Sequence, residues 1–130
     1  MCVIADFSKH ETLKKDLHVY KAVCLGEKKG EYHSLIPDWA RVEQRSYMGR
    51  GKVLIYKLGV QARSRFANTP GIYCYVQYGA AYLHVTNKYH HAVLLIKVPK
   101  GSRIVRGCSS LNYKLTINAE TIVPVKVLGV

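Results

Sequence analysis

The chain has 130 residues, is 48% hydrophobic and carries a formal net charge of +12, which fits one domain, residues 1–130, closing a single modest core. Its longest apolar run, Ala92-Val93-Leu94-Leu95-Ile96, is far too short to cross a bilayer, so no membrane partner is expected. The N-terminus shows no basic stretch leading into a long apolar one, and Cys2, Cys24, Cys74 and Cys108 form no CxxC pair; the expectation is no secretory leader, reduced buried thiols and an intracellular, cytoplasmic location.

In chain order, Ser8-Lys9-His10-Glu11 has the pattern of a capping box and predicts a short helix through about Leu17, with Leu13 and Leu17 on one face. Residues 18–24 alternate and are rich in Val and Tyr, a strand. A Gly26–Gly30 turn and residues 31–36 complete a hairpin. Pro37-Asp38-Trp39 interrupts, residues 41–47 read as extended, and Gly49-Arg50-Gly51-Lys52 as a basic turn. Residues 53–58 form a plausible strand, whereas 59–71 lack a period and read as a long loop, with or without a short helix. Then come a strand at 71–76, a short Ala-containing helix at 77–85 and a buried strand at 92–98. A Pro99-Lys100-Gly101 turn leads into strands at 102–106, 111–117 and 121–128, with Pro124 marking an edge or a bulge. The fold class that follows is α+β, mainly antiparallel sheet with one or two short helices.

Charge is distributed one-sidedly along this chain. Residues 1–43 hold seven acids and seven Lys or Arg, whereas 44–130 hold thirteen Lys or Arg and the single acid Glu120. The C-terminal two-thirds should therefore present a positive field to phosphate-bearing partners, and Glu120 should be held ionised by its cationic neighbours.

The segment Gly71-Ile72-Tyr73-Cys74-Tyr75, followed by Ala80-Ala81-Tyr82 and the apolar strand Val93-Leu94-Leu95-Ile96-Lys97-Val98, resembles the centre of the ADP-ribosyltransferase fold in its poly(ADP-ribose) polymerase-like branch. Asn118-Ala119-Glu120-Thr121-Ile122-Val123 is similar to the context of that family's catalytic carboxylate, with one residue inserted. The resemblance spans residues 71–128. It implies a split antiparallel sheet, NAD as cofactor, and Tyr73 and Tyr82 sandwiching the nicotinamide ring. It also implies that Glu120 bonds the ribose 2′-hydroxyl and stabilises the oxocarbenium-like charge. His18 is the candidate for the first-strand residue that orients the nicotinamide end, although no Gly follows it. Glu120, Tyr73 and His18 are thus the implied catalytic set. The plain alternatives are a strand-end Glu120 paired with Lys126 or an Arg, and tyrosines that are sheet residues of the core.

A second set of residues points elsewhere. Arg45, Arg50, Lys52, Lys57, Arg63 and Arg65 interleave with Tyr47 and Tyr56, and Lys88, Lys97, Lys100, Arg103, Arg106 and Lys114 follow. Guanidinium forks and lysine point charges are what phosphate binding needs, and Tyr73 and Tyr75 at i and i+2 would share a sheet face able to stack on bases. The expected nucleic-acid-binding residues are Arg45, Arg50, Lys52, Lys57, Arg63, Arg65, Lys100, Arg103 and Arg106. His84, His90 and His91 match no closed zinc spacing, so no metal site is expected.

Three function classes follow, in this order. The first is a non-enzymatic binding protein engaging RNA, single-stranded DNA or a nucleoprotein through its cationic face. The second is an NAD-dependent mono-ADP-ribosyltransferase using Glu120, and the third a module docking on an acidic protein. The Tyr20-Lys21-Ala22-Val23 strand, the Gly30-Glu31-Tyr32-His33-Ser34 hairpin, the Val98-Pro99-Lys100-Gly101 turn and the Val123-Pro124-Val125-Lys126-Val127-Leu128 strand also resemble small proteins of phages and mobile elements. That likeness implies a viral accessory protein inhibiting a host defence system by binding its RNA or nucleoprotein.

Overall fold

The computed structural model describes residues 3–6, 8–26, 28–34, 55–64, 70–109 and 113–128. Within them lie β1 (Val3–Ala5), β2 (Glu11–Thr12), β3 (Leu17–Leu25), β4 (Glu31–Ser34), β5 (Tyr56–Lys57), β6 (Ala62–Arg63), β7 (Ile72–Tyr75), α1 (Tyr78–Tyr82), β8 (His91–Val98), β9 (Arg103–Ser109), β10 (Leu115–Ala119) and β11 (Thr121–Leu128). These strands join in one sheet in the order β1-β9-β10-β7-β3-β8-β11-β6, with β2 also on β9, β4 on β3 and β5 on β4. Every pairing is antiparallel. An antiparallel sheet carrying one short helix among the described residues is the α+β class expected from the sequence.

Strand alternation makes the core. On β8, Ala92, Leu94, Ile96 and Val98 face inward with Val19 and Val23 of β3, Ile72 and Cys74 of β7, Ile104 of β9, Ile117 and Ala119 of β10 and Ile122 of β11. Each Val, Leu or Ile side chain among them contributes about 1.5–3 kcal/mol when fully buried, so this inner face is the main source of cohesion. Burial raises the Cys74 thiol to about 11, against the opposing charge of Lys21; it is an inert core thiol.

The opposite face of the sheet carries α1. Ala80 and Ala81 bury themselves against Tyr73, Tyr75 and Val93, with Tyr20, Tyr78 and Val85 around them. A five-residue helix has no stability of its own; the small side chains of Ala80 and Ala81 let it lie close to the sheet, and that packing holds it.

Three irregularities shape the sheet. β3 and β8 pair continuously from Leu17↔Val98 to Cys24↔His91, yet β3 and β7 meet only at Tyr20↔Tyr75. The pairing of β3 with β7 is therefore the shortest on the central path of the sheet. β10 and β11 are one extended run bent at Glu120, which carries the chain from a strand beside β7 and β9 to one beside β8 and β6. Ser102 ties the bend: its hydroxyl accepts from the Thr121 amide at 3.2 Å and donates to the Thr121 carbonyl at 3.3 Å. Further along β11 the register shifts between Pro124 and Lys126, a bulge where the imino residue has no N–H to give.

The largest departure from the sequence reading is at 8–17, where no helix forms. Asp6 accepts hydrogen bonds from the Ser8 amide at 3.0 Å and the Ser8 hydroxyl at 2.6 Å, which removes Ser8 as a helix cap. Glu11 turns to the Arg106 guanidinium at 2.6 Å instead of the Ser8 amide, and Glu11 and Thr12 pair with Ile104 and Arg103 as β2. An open edge of β9 outcompetes a weak local helix. The aperiodic 59–71 segment contains β6, which pairs with β11. The strand at 102–106 runs on to Ser109; of the one expected from 111, residues 111–112 lie outside the described residues and Leu115–Ala119 is strand, with the Tyr113 amide donating to the Ser109 carbonyl. Residues 35–36, 41–47, 49–52 and 53–54 lie outside the described residues.

Candidate nucleic-acid interface

Glu120 occupies the β10–β11 bend with its side chain 16% exposed. The Arg103 guanidinium donates to Oε2, and Arg63 lies 3.9 Å from Oε1. The Arg103 hydrogen bond holds the carboxyl below its ordinary range; partial burial opposes this, and the charges of Arg103, Arg63 and His10 reinforce it. The backbone locks the same residue, since the Glu120 amide donates to the Arg103 carbonyl at 3.0 Å and the Glu120 carbonyl accepts from Ser64 at 2.7 Å. The partner of Glu120 is thus a neighbouring Arg pair, not Lys126.

Tyr73 faces the helix side of β7 at 8% exposure, edge-on to Tyr75 with ring centroids 6.2 Å apart. Its carbonyl lies where β7 meets β3, and Lys21 reaches across to donate to it at 2.7 Å. Lys21 is 1% exposed, with Nζ 4.2 Å from the Tyr73 ring centroid and 5.7 Å from that of Tyr56, the geometry of a cation–π contact. No carboxylate pairs with it among the described residues. Tyr75 is buried too; its hydroxyl shares a 2.8 Å hydrogen bond with His84 Nε2, and the two rings stack at 5.3 Å. Burial lifts the Tyr75 phenol and lowers the His84 imidazole. Neither Tyr73 nor Tyr75 can offer a ring face to a base from outside, which corrects the stacking role read from their i, i+2 spacing.

Tyr82, in contrast, is 45% exposed and stacks on Tyr78, centroids 5.7 Å apart and planes 20° apart. Tyr78 in turn meets Tyr20 edge-on at 5.9 Å. The register sets Asn118 opposite Tyr73, so Glu120 lies two positions beyond that pair. However, Tyr82 gives its ring to Tyr78, while Tyr73 holds Lys21 and Tyr75; this arrangement does not match a nicotinamide sandwich. His18 is exposed on β3 opposite Lys97, several residues along the strand from the level of Lys21.

The cations named from sequence divide sharply. Arg45, Arg50, Lys52 and Arg65 lie outside the described residues. Lys57 pairs with Glu31 at 3.4 Å, Arg106 with Glu11, and Arg103 and Arg63 with Glu120. Lys100 sits at the β8–β9 turn, where its amide donates to Asp16 at 2.9 Å. Glu31, Glu11 and Glu120 are thus committed to residues expected to bind phosphate, whereas Asp16 meets only the Lys100 amide and the Lys100 ammonium has no ion-pair partner among the described residues.

Among the cations without a carboxylate partner, two lie in a row beside the helix. On the helix-bearing face, His18, Lys97 and Val123 lie abreast on β3, β8 and β11, and Tyr20, Leu95 and Lys126 form the next level. Neighbouring strands are about 4.8 Å apart, so the two lysines and the histidine fall within one patch. No acid occupies these six positions, and neither Lys97 nor Lys126 has an ion-pair partner among the described residues. Sequence order hid Lys126 as a member, because only the pairing of β8 with β11 brings it next to Lys97. Among the described residues no group of three or more His, Cys, Asp or Glu is placed to share a metal ion, and no helix is long and apolar enough to cross a membrane.

In comparisons with protein-family models, curated proteins and solved structures, the chain matches none of them.

Proposed function

We propose that this is a small basic binding protein that engages RNA, single-stranded DNA or a nucleoprotein through a cationic, tyrosine-bearing face. The observation that carries the reading is the acid-free row of His18, Lys97 and Lys126 on a sheet face whose neighbours include Tyr20 and α1. Lysines without a carboxylate neighbour keep their full field for a polyanion, whereas paired ones do not. The loose likeness to proteins of phages and mobile elements suggests where such binding would act, against a host defence system built on nucleic acid. Binding of a labelled oligonucleotide should weaken steeply as salt rises, because each neutralised phosphate releases a counterion. A flat response between low and physiological salt rejects the reading. Copurifying nucleic acid, seen as a raised 260/280 nm absorbance ratio, is its cheapest support. A partner captured equally well after nuclease treatment would instead indicate docking on an acidic protein.

A second reading, mono-ADP-ribosyl transfer from NAD with an ADP-ribosyltransferase-like fold, rests on Glu120. It is an ionised carboxylate two positions past the Tyr73 level, at the bend between β10 and β11. It requires Arg103 to give up that carboxylate. Label from NAD should then reach an acceptor and vanish with Glu120→Gln; absence of NAD binding at millimolar concentration ends this reading.

A further inference from the structure

Resting on the nucleic-acid reading, we infer that the ligand is recognised as a single strand, with an unpaired base stacked on Tyr82 while its backbone runs over Lys97 and Lys126. Three tyrosines make the platform. Tyr20 stands on the sheet between His18 on its own strand and Tyr78 above it, and Tyr78 carries Tyr82 outward in a parallel stack. The inner two rings are partly buried and fix the third, which leaves one side open to solvent at 45% exposure. A tyrosine held from behind by a stacked neighbour loses little freedom when a base covers its other side. This is the economy of single-strand binders, which combine an aromatic face with a basic track.

The track is adjacent. Tyr20 shares its level with Leu95 and Lys126, and His18 shares the next with Lys97. Successive same-face positions on a strand are about 7 Å apart and adjacent strands about 4.8 Å, so both lysines lie within side-chain reach of the ground beside Tyr20. A duplex keeps its base faces stacked inside and could use only the lysines. A single strand can use both features, and the structure assigns it as the preferred ligand for that reason.

The test compares wild type, Tyr82→Ala and Tyr82→Phe by fluorescence anisotropy. The probes are labelled oligothymidylate, labelled oligouridylate and a DNA duplex of equal length, at low salt. Wild type should prefer the single strands. Tyr82→Ala should lose about tenfold on them, the scale of one base–aromatic stack, with duplex binding unchanged, and Tyr82→Phe should restore the affinity. The two single-strand probes separate RNA from DNA as the source of the same chemistry. Circular dichroism checks the fold of each variant. If Tyr82→Ala binds single strands like wild type, or if single strand and duplex lose affinity together, stacking at Tyr82 is wrong while nucleic-acid binding stands. If wild type binds none of the three probes, the broader reading falls with it.

Discussion

The Glu120 bend and the β8–β11 face hold the same kinds of cation in opposite conditions. At the bend, Arg103 and Arg63 converge on one carboxylate that is tied to the backbone on both sides. On the open face, Lys97 and Lys126 stand beside a histidine and aliphatic residues with no acid at their level. A net charge of +12 counts both alike, but at the bend Glu120 offsets one of the two arginines, whereas no acid among the described residues offsets the lysines of the open face. Cations at the bend hold the fold together, and those on the face are available to a partner.

Lys21 carries the first condition to its limit, a cation withdrawn from solvent altogether. It lies where β3 and β7 meet at a single registered pair, and donates to the Tyr73 carbonyl. Truncation by Lys21→Ala should leave a cavity and remove the hydrogen bond to the Tyr73 carbonyl, and cost about 2–4 kcal/mol. Lys21→Met, which restores volume and not the hydrogen bond, should recover part of this. Urea midpoints measure the difference. If Lys21→Ala were as stable as wild type, the β3–β7 junction would not depend on this residue.

The comparison itself is best broken with two double variants of equal net charge. Lys97→Gln with Lys126→Gln removes two open cations; Lys57→Gln with Arg106→Gln removes two that already face Glu31 and Glu11. The first should weaken oligonucleotide binding about tenfold and lower the slope of log affinity on log salt by about 2. The second should change affinity by no more than about twofold, because each exposed pair contributes about 0–1 kcal/mol and its cation was already screened by its partner. Equal losses in the two variants would mean that bulk charge, not placement, governs the interaction.

How far the sequence could have led to this division is visible in individual residues. Strong β runs at 18–24, 71–76, 92–98 and 121–128 were legible because Val, Ile and Tyr alternate there, and the short helix was legible from its alanines. The 8–17 helix failed because a capping box is a local signal, while Glu11 and Thr12 answer to an edge of β9 some ninety positions away. The candidate site was less legible still. One-sided charge was plain, but which lysines stay open depends on pairing across the sheet: Glu11 reaches Arg106, and Lys126 arrives beside Leu95 and Lys97 through a bulge. Tyr73 and Tyr75 looked suitable for stacking by spacing, and burial under α1 rules that out; Tyr82 is distinguished only by what its neighbours leave exposed.

The smallest expected effect belongs to Glu120, and it separates the two functional readings most cleanly. Its folded carboxyl lies below its ordinary value chiefly through the Arg103 hydrogen bond. A depressed acid contributes stability that is fully present above its unfolded value, about 4.3, and is lost as pH falls through the folded one. Glu120→Gln should therefore lower stability at neutral pH by about 1 kcal/mol, the upper end of the scale for an ion pair that solvent partly screens, and flatten the stability–pH curve below about pH 4.3. Thermal melts across pH 2.5–7, run on both proteins, should converge at the acid end; parallel curves would mean the carboxylate is not paired in solution. The same variant releases Arg103 and Arg63 from their shared partner, so on the binding reading oligonucleotide affinity should hold or rise slightly. On the transferase reading, the identical change removes the one carboxylate the chemistry needs. Retained affinity with no NAD-dependent labelling in either protein would leave the acid as a structural clamp.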